Sequence, residues 1–147
     1  MAGRQKGNKV KSVETGIPEG YENAQAERSS FWYSPDMRSP LEGLLLGRFP
    51  RTKGNGYYYQ IRAVKSCDVV QSIEGESVEA VANPGQIVNV DERKALECFQ
   101  ACLDVPHMVF VQSEEKITLD NGQSFWRFRL GKRRATLQES ESSKVPF

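Results

Sequence analysis

The sequence predicts a mainly β domain: five strands closed into a small barrel, plugged by one helix and flanked by flexible N- and C-terminal tails. Three observations carry this expectation. Apolar and aromatic residues alternate with period two through several short segments between residues 41 and 132. Glycine-bearing turns separate those segments, and a single helical pattern interrupts them after the third strand.

Residues 1–30 are rich in Gly, Ser, Asn, Gln and charge and hold few large apolar side chains, so they read as a flexible basic arm. Arg4, Lys6, Lys9 and Lys11 stand there before any acid. The run "SSFWYSPDMRSP" (29–40) brings Phe31, Trp32 and Tyr33 together, followed by two prolines. It is expected to strap across the domain. Three consecutive aromatic residues cannot all point one way, which leaves at least one for a ligand.

"LEGLLLGRFP" (41–50) is the first strand. Gly43 and Gly47 inside it signal bulges or a sharp bend, the device that curls a sheet. "TKGNG" (52–56) turns the chain into "YYYQIRAV" (57–64), where Tyr57, Tyr59 and Ile61 share one face and Tyr58, Gln60 and Arg62 the other. "CDVVQSI" (67–73) either extends this strand or pairs with it, and "EGES" (74–77) is a turn. "NPGQIVNVD" (83–91) is a turn and a short third strand, Ile87 to Val90.

"DERKALECFQACL" (91–103) carries Leu96, Phe99 and Leu103 at helical spacing, with Asp91 as the expected cap. "MVFVQSEEKITL" (108–119) and "SFWRFRLGK" (124–132) are the fourth and fifth strands, joined through the Asn-Gly signal of "DNGQ" (120–123). On the fourth, Glu114 and Glu115 are expected on opposite faces. Three strands, a helix and two strands is the element order of the OB-fold, a partly open barrel that presents a sheet face and loops to oligonucleotides or oligosaccharides. The expected domain spans 31–134, with 135–147 as a flexible tail. An SH3-like barrel or an α+β roll accepts part of the same pattern.

The bulk composition bounds the function. The chain has 147 residues, enough for one core, and its 20 Lys and Arg against 19 Asp and Glu leave a net charge of +1. No apolar run approaches the length of a membrane span, and the N-terminus starts polar, so a cytoplasmic protein without a membrane partner is expected. Three cysteines, Cys67, Cys98 and Cys102, suit reduced thiols better than a disulfide framework. Cys98, Cys102 and the sole histidine, His107, lack an evident fourth ligand for zinc, so no metal or other cofactor is expected. Nucleotide-cradling glycine motifs are absent, and no nucleophile–base ordering is arguable, so the chain does not read as an enzyme.

Nucleic-acid binding has more to work with. In "FWRFRLGKRR" (125–134), Trp126, Phe128 and Leu130 form an apolar set for the core, which turns Phe125, Arg127 and Arg129 outward. Tyr58 and Arg62 are the matching outward set on the second strand. Arg48, Arg51 and Lys53 line the first turn, Lys132, Arg133 and Arg134 extend the basic edge, and Trp32 stands in the strap. No acid occurs in 57–64 or 124–134. Cations that track a backbone and rings that stack bases are what a single strand requires. The bland reading makes the rings core and the arginines guards of an edge strand.

The chain finishes "ESESSKVPF". This ending resembles the C-terminal tip of bacterial and phage single-stranded-DNA-binding proteins, where an OB-fold is followed by a flexible acidic tail closing on a hydrophobic residue, proline and phenylalanine. Val145, Pro146 and Phe147 match those last positions. Glu139 and Glu141 stand in for the usual acidic run but lie back from the tip, and Lys144 occupies a place where the family has an acid. The outline of the rest, a basic arm and Trp32-Tyr33-Ser34-Pro35 before "LEGLLLGRF", is also similar to small phage-type members. The resemblance implies a non-enzymatic protein that coats single-stranded DNA without strong sequence preference. It further implies recruitment of replication and recombination proteins through Val145, Pro146 and Phe147, in a bacterial cell or phage-infected host. A homo-oligomer is allowed, with a dimer as a guess. Two other classes stay open: a structural or protein-interaction barrel within a phage or other assembly, and an RNA-binding OB protein.

Overall fold

A computed structural model describes residues 30–52 and 54–142. Its strands are β1 (Phe31–Trp32), β2 (Leu41–Pro50), β3 (Tyr57–Ala63), β4 (Cys67–Ile73), β5 (Glu76–Ala82), β6 (Ile87–Asp91), β7 (His107–Thr118) and β8 (Ser124–Arg134). A 3₁₀ turn, Pro35–Met37, precedes β2; a 3₁₀ helix, Lys94–Cys102, separates β6 from β7; and a short helix α1, Leu137–Ser142, follows β8. Among the described residues these eight strands form one curled, half-barrel sheet in the order β5-β4-β1-β6-β3-β2-β7-β8.

The mainly β class therefore stands, but the strand number differs from five. Segments 41–50, 57–63, 87–91, 107–118 and 124–134 do form strands, and they are neighbours as third, second, first, fourth and fifth. The additions lie on one side. Residues 67–73 neither extend the second strand nor pair with it; they pair antiparallel with 76–82 from Cys67↔Ala82 to Ile73↔Glu76, so Glu76 and Ser77 belong to a strand and not to the turn. "ESVEAVA" is exposed at most positions and so lacks the clean alternation of a half-buried strand. Phe31 and Trp32 then wedge between that hairpin and β6, antiparallel to β4 and parallel to β6.

Period two sorts most side chains as expected, with two exceptions: Trp126 stays half-buried outside the core cluster, with the Arg38 guanidinium 5.7 Å from its ring centroid, and Tyr57, at the start of β3, is exposed. Tyr59, Ile61 and Ala63 enter the core with Leu41, Leu45, Val69, Val88, Val90, Val109 and Val111, while Phe128 and Leu130 pack against it. A bulge between Leu45 and Gly47 shifts the register of β2 against β3. Gly43 answers a different need: a Cβ there would lie 2.0 Å from the Arg62 carbonyl oxygen, so only glycine lets β2 and β3 approach this closely. The β7–β8 turn closes as its sequence requires, with Gly122 at φ 87° and the Leu119 amide donating to the Gln123 carbonyl at 2.7 Å.

The plug helix departs from its expected form. It is 3₁₀, and Arg93 rather than Asp91 occupies the N-cap; Asp91 ends β6. Three residues per turn stack Leu96, Phe99 and Cys102 on the core side, and Leu103 is left exposed. Four residues is more than one turn at this pitch, so Cys98, exposed, and Cys102, buried, do not share a face.

The segment read as a flexible tail opens with structure. Thr136 and Glu139 form a reciprocal capping box, Glu139 N–H to Thr136 Oγ1 at 3.1 Å and Thr136 N–H to Glu139 Oε1 at 2.8 Å. The basic arm up to residue 29, Lys53, and the tip residues Val145, Pro146 and Phe147 lie outside the described residues. Among the described residues no helix is long and apolar enough to cross a membrane.

Candidate nucleic-acid interface

The face of the sheet opposite the core carries the candidate site. Alternation turns Tyr58, Gln60 and Arg62 of β3 away from Tyr59 and Ile61, and pairing sets them beside outward residues of the adjacent strands. Gln60 lies opposite Asn89, and Asn89 lies opposite Trp32. Tyr58 lies opposite Phe49 on its other side. The Trp32 and Tyr58 rings come to 5.3 Å between centroids, and those of Tyr58 and Phe49 to 5.8 Å, both tilted. The Arg51 guanidinium sits 5.5 Å from the centroid of Trp32.

These side chains enclose an open cleft of about 400 Å³ lined by Trp32, Arg51, Thr52, Tyr58, Gln60 and Asn89 together with Ser30. Its volume falls in the range of ligand clefts, roughly 300–1,000 Å³. The strap divides its three aromatic residues between two surfaces. Trp32 faces the cleft, Phe31 packs against the core, and Tyr33 is buried, its hydroxyl accepting from the Ser113 amide at 2.7 Å. Burial pushes the Tyr33 phenol above its ordinary pKa.

Arg48 is placed differently from the other cations of the first turn. It donates Nε to Glu92 Oε2 at 3.0 Å and Nη2 to Oε1 at 2.7 Å, and its guanidinium lies 3.7 Å from the centroid of the Tyr57 ring. Glu92 also accepts from Gln100 at 3.0 Å and from the Tyr59 hydroxyl. Its side chain is 9% exposed, and the Arg48 guanidinium holds its carboxyl down at about 2. Burial, and next the bond to Glu92, push the Tyr59 phenol well up. A charge so enclosed is committed to the fold rather than to phosphate.

Arg51 pairs with Asp91 at the cleft rim. Arg62 donates to the Gly85 carbonyl at 2.7 Å. Arg127 pairs with Glu115 at 3.1 Å and Arg129 with Glu114 at 2.9 Å, all four well exposed. Both acids therefore serve one face, contrary to the expectation from strict alternation. A register shift between Ser113 and Glu115 is the cause, because a bulge resets the period. Exposed pairs of this kind contribute about 0–1 kcal/mol, so a phosphate can displace the acid at small cost. Lys132 is exposed, and Arg133 is tied to α1 by two bonds to Glu139, at 2.9 and 2.7 Å.

The aromatic ends of the two outward sets named from the sequence lie far apart, although Arg62 and Arg129 are offset by only about four strand positions. Phe49 lies eight residues along β2 from Leu41, whereas Ile117, paired with Phe125, lies six residues beyond Leu41's partner Val111 in the opposite direction. Fourteen strand positions amount to about 45 Å in a flat sheet, before curling. The cleft around Trp32 and Tyr58 and the hairpin face with Phe125, Arg127 and Arg129 are separate surfaces.

Sequence reasoning passed over Phe49, Gln60 and Asn89 as site residues. Gln60 carried the signal of alternation beside Tyr58. Asn89 carried another, a polar residue inside the apolar run "IVNV". The metal question has a plain geometric result: among the described residues no group of three or more His, Cys, Asp or Glu side chains is placed to hold an ion.

No protein-family model matches the chain, no curated protein matches it, and no solved structure matches its fold.

Proposed function

We propose that this protein binds single-stranded nucleic acid, DNA in the first instance, on an OB-like sheet enlarged by β1 and the β4–β5 hairpin. The observation that carries the reading is the outward ladder Trp32–Tyr58–Phe49 with the Arg51 guanidinium beside it. Rings at this spacing offer stacking faces to bases, worth about 1–3 kcal/mol each, and the cation meets the backbone. Phe125, Arg127 and Arg129 form a second contact for the same strand, reached along the sheet. Val145, Pro146 and Phe147 then act as a docking tip for replication and recombination proteins. The role is binding and recruitment, with no chemical step.

Titration of fluorescent dT oligomers at rising salt tests it. Affinity that falls steeply with salt is expected, because phosphate contacts release counterions. Absence of binding at low salt, or indifference to salt, overturns the reading. Competition between DNA and RNA oligomers separates the two polymers. Removal of residues 143–147 is expected to spare strand binding and abolish capture of a partner. One observation favours a second reading as an assembly module: Ile73, Val78 and Val81 are exposed on the β4–β5 hairpin. A large nucleic-acid-free assembly in sizing experiments supports that alternative.

A further inference from the structure

Asn89 is 6% exposed, and its Oδ1 accepts no hydrogen bond among the described residues. A buried acceptor left without a donor costs about 1–3 kcal/mol, and a valine or leucine of similar size avoids that cost. Asn89 nevertheless interrupts an apolar strand, between Val88 and Val90, which both face the core. It lies in the floor of the cleft, cross-strand from both Trp32 and Gln60, with the Trp32 and Tyr58 rings and Arg51 as walls. A polar group kept at a stability cost, beneath two aromatic walls and a cation, has the makings of a recognition site.

We propose that this cleft holds one nucleobase of the bound strand and that the Asn89 carboxamide hydrogen-bonds a donor on the base edge. The inference rests on the single-strand reading and deepens it: the site distinguishes a hydrogen-bonding base from any flat apolar ring, where stacking alone does not. The ligand must bring an N–H donor beside an acceptor, as the exposed edge of a nucleobase does, because the carboxamide presents an acceptor and a donor side by side. Turning the carboxamide about its last torsion exchanges its two ends, so either end can meet the ligand. The Arg51 guanidinium, exposed at the rim, is positioned for the adjoining phosphate.

The test compares a dT oligomer with the same oligomer built from a nonpolar isostere of thymidine, which keeps the ring and loses the hydrogen bonds. Both are titrated against the full-length protein and against Asn89→Leu. The unaltered protein is expected to prefer the natural strand roughly fivefold, the size of a neutral hydrogen bond, and Asn89→Leu to bind the two strands alike. Because the orphaned acceptor is removed, the variant is expected to melt no lower than the parent; Asn89→Ser repeats the comparison if leucine disturbs the sheet. Equal affinity of the unaltered protein for both strands, or discrimination that persists in both variants, overturns the inference and leaves strand binding intact. Failure to bind either strand overturns the single-strand reading itself.

Discussion

Arg48 and Glu92, 44 residues apart in the chain, meet as a bidentate ion pair that joins β2 to the start of the plug helix. Glu92 accepts from Tyr59 and Gln100 as well, so one carboxylate gathers β2, β3 and the 3₁₀ helix. The Leu96 carbonyl, 3.1 Å from the Tyr59 hydroxyl, is a second acceptor for its one proton, and the ring meets Phe99 edge-on at 5.9 Å.

Removing that carboxylate takes the acceptor from Arg48 and leaves the Tyr59 hydroxyl with the Leu96 carbonyl alone. Glu92→Ala is expected to cost about 1–2 kcal/mol: the Arg48 guanidinium, a quarter exposed, regains water, while the hydrogen bonds of Tyr59 and Gln100 to a charged acceptor are lost. Urea unfolding measures it. A loss below about 0.5 kcal/mol shows that Glu92 is an ordinary surface acid.

The same carboxylate governs acid stability. Its folded pKa is held down at about 2 by Arg48 first, against roughly 4.3 in an unfolded chain. Its contribution is therefore complete above about pH 4.5 and is lost as pH falls toward 2. Unfolding midpoints of the parent and Glu92→Gln, followed between pH 5 and 2, are expected to converge. A constant gap between the two curves contradicts this.

At Gly43 a methyl group collides with the Arg62 carbonyl oxygen at 2.0 Å. Gly43→Ala is expected to destabilise by about 3 kcal/mol or more, because backbone on an adjacent strand cannot step aside as a side chain does. Thermal melting checks it. Gly54→Ala, where no atom lies within 4 Å, meets only the strain of its φ of 74° and is expected to cost less.

Binding should divide between the two outward surfaces unequally. Trp32→Ala and Tyr58→Ala are each expected to weaken binding of dT oligomers by about 1–3 kcal/mol without changing the salt slope. Arg51→Ala is expected to lower that slope by about 1. Phe125→Ala with Arg127→Ala should act more weakly on short oligomers than on long ones, because the hairpin face lies well away from the cleft. Equal losses at every length point to a single contiguous site.

The capping box carries a local prediction. Thr136→Ala is expected to fray α1 at a cost of about 1 kcal/mol. Faster hydrogen exchange at Glu139, whose amide donates to Thr136, reports it, with the midpoint of the sheet unmoved. Slowing or no change in that exchange removes the cap from the account.

Local order was legible in the sequence because its causes are local. Period-two alternation placed Tyr59 and Ile61 inside and Tyr58 outside, the Asn-Gly pair fixed the β7–β8 turn, and the breaks at glycine and proline bounded strands to within a residue or two. The hairpin of 67–82 was missed in its second half because "SVEAVA" lies mostly in solvent and alternates little. The helical period is ambiguous in the sequence, since Leu96, Phe99 and Leu103 fit 3.6 residues per turn as well as Leu96, Phe99 and Cys102 fit three.

The chain by itself thus determined a mainly β protein, the apolar face of β3 and most of that of β8, and the outward side of Tyr58, Phe125, Arg127 and Arg129. Tertiary structure alone decided their company. Glu114 and Glu115 neutralise arginines on β8, whose own sequence holds no acid, Asp91 and Glu92 pair with Arg51 and Arg48 from 40 and 44 residues away, and Trp32, Tyr58 and Asn89 share a cleft although 57 residues separate the first from the last. The physical reason is that alternation is set within a strand by its own backbone, whereas cross-strand neighbours depend on register, bulges and strand order, which join residues far apart in the chain.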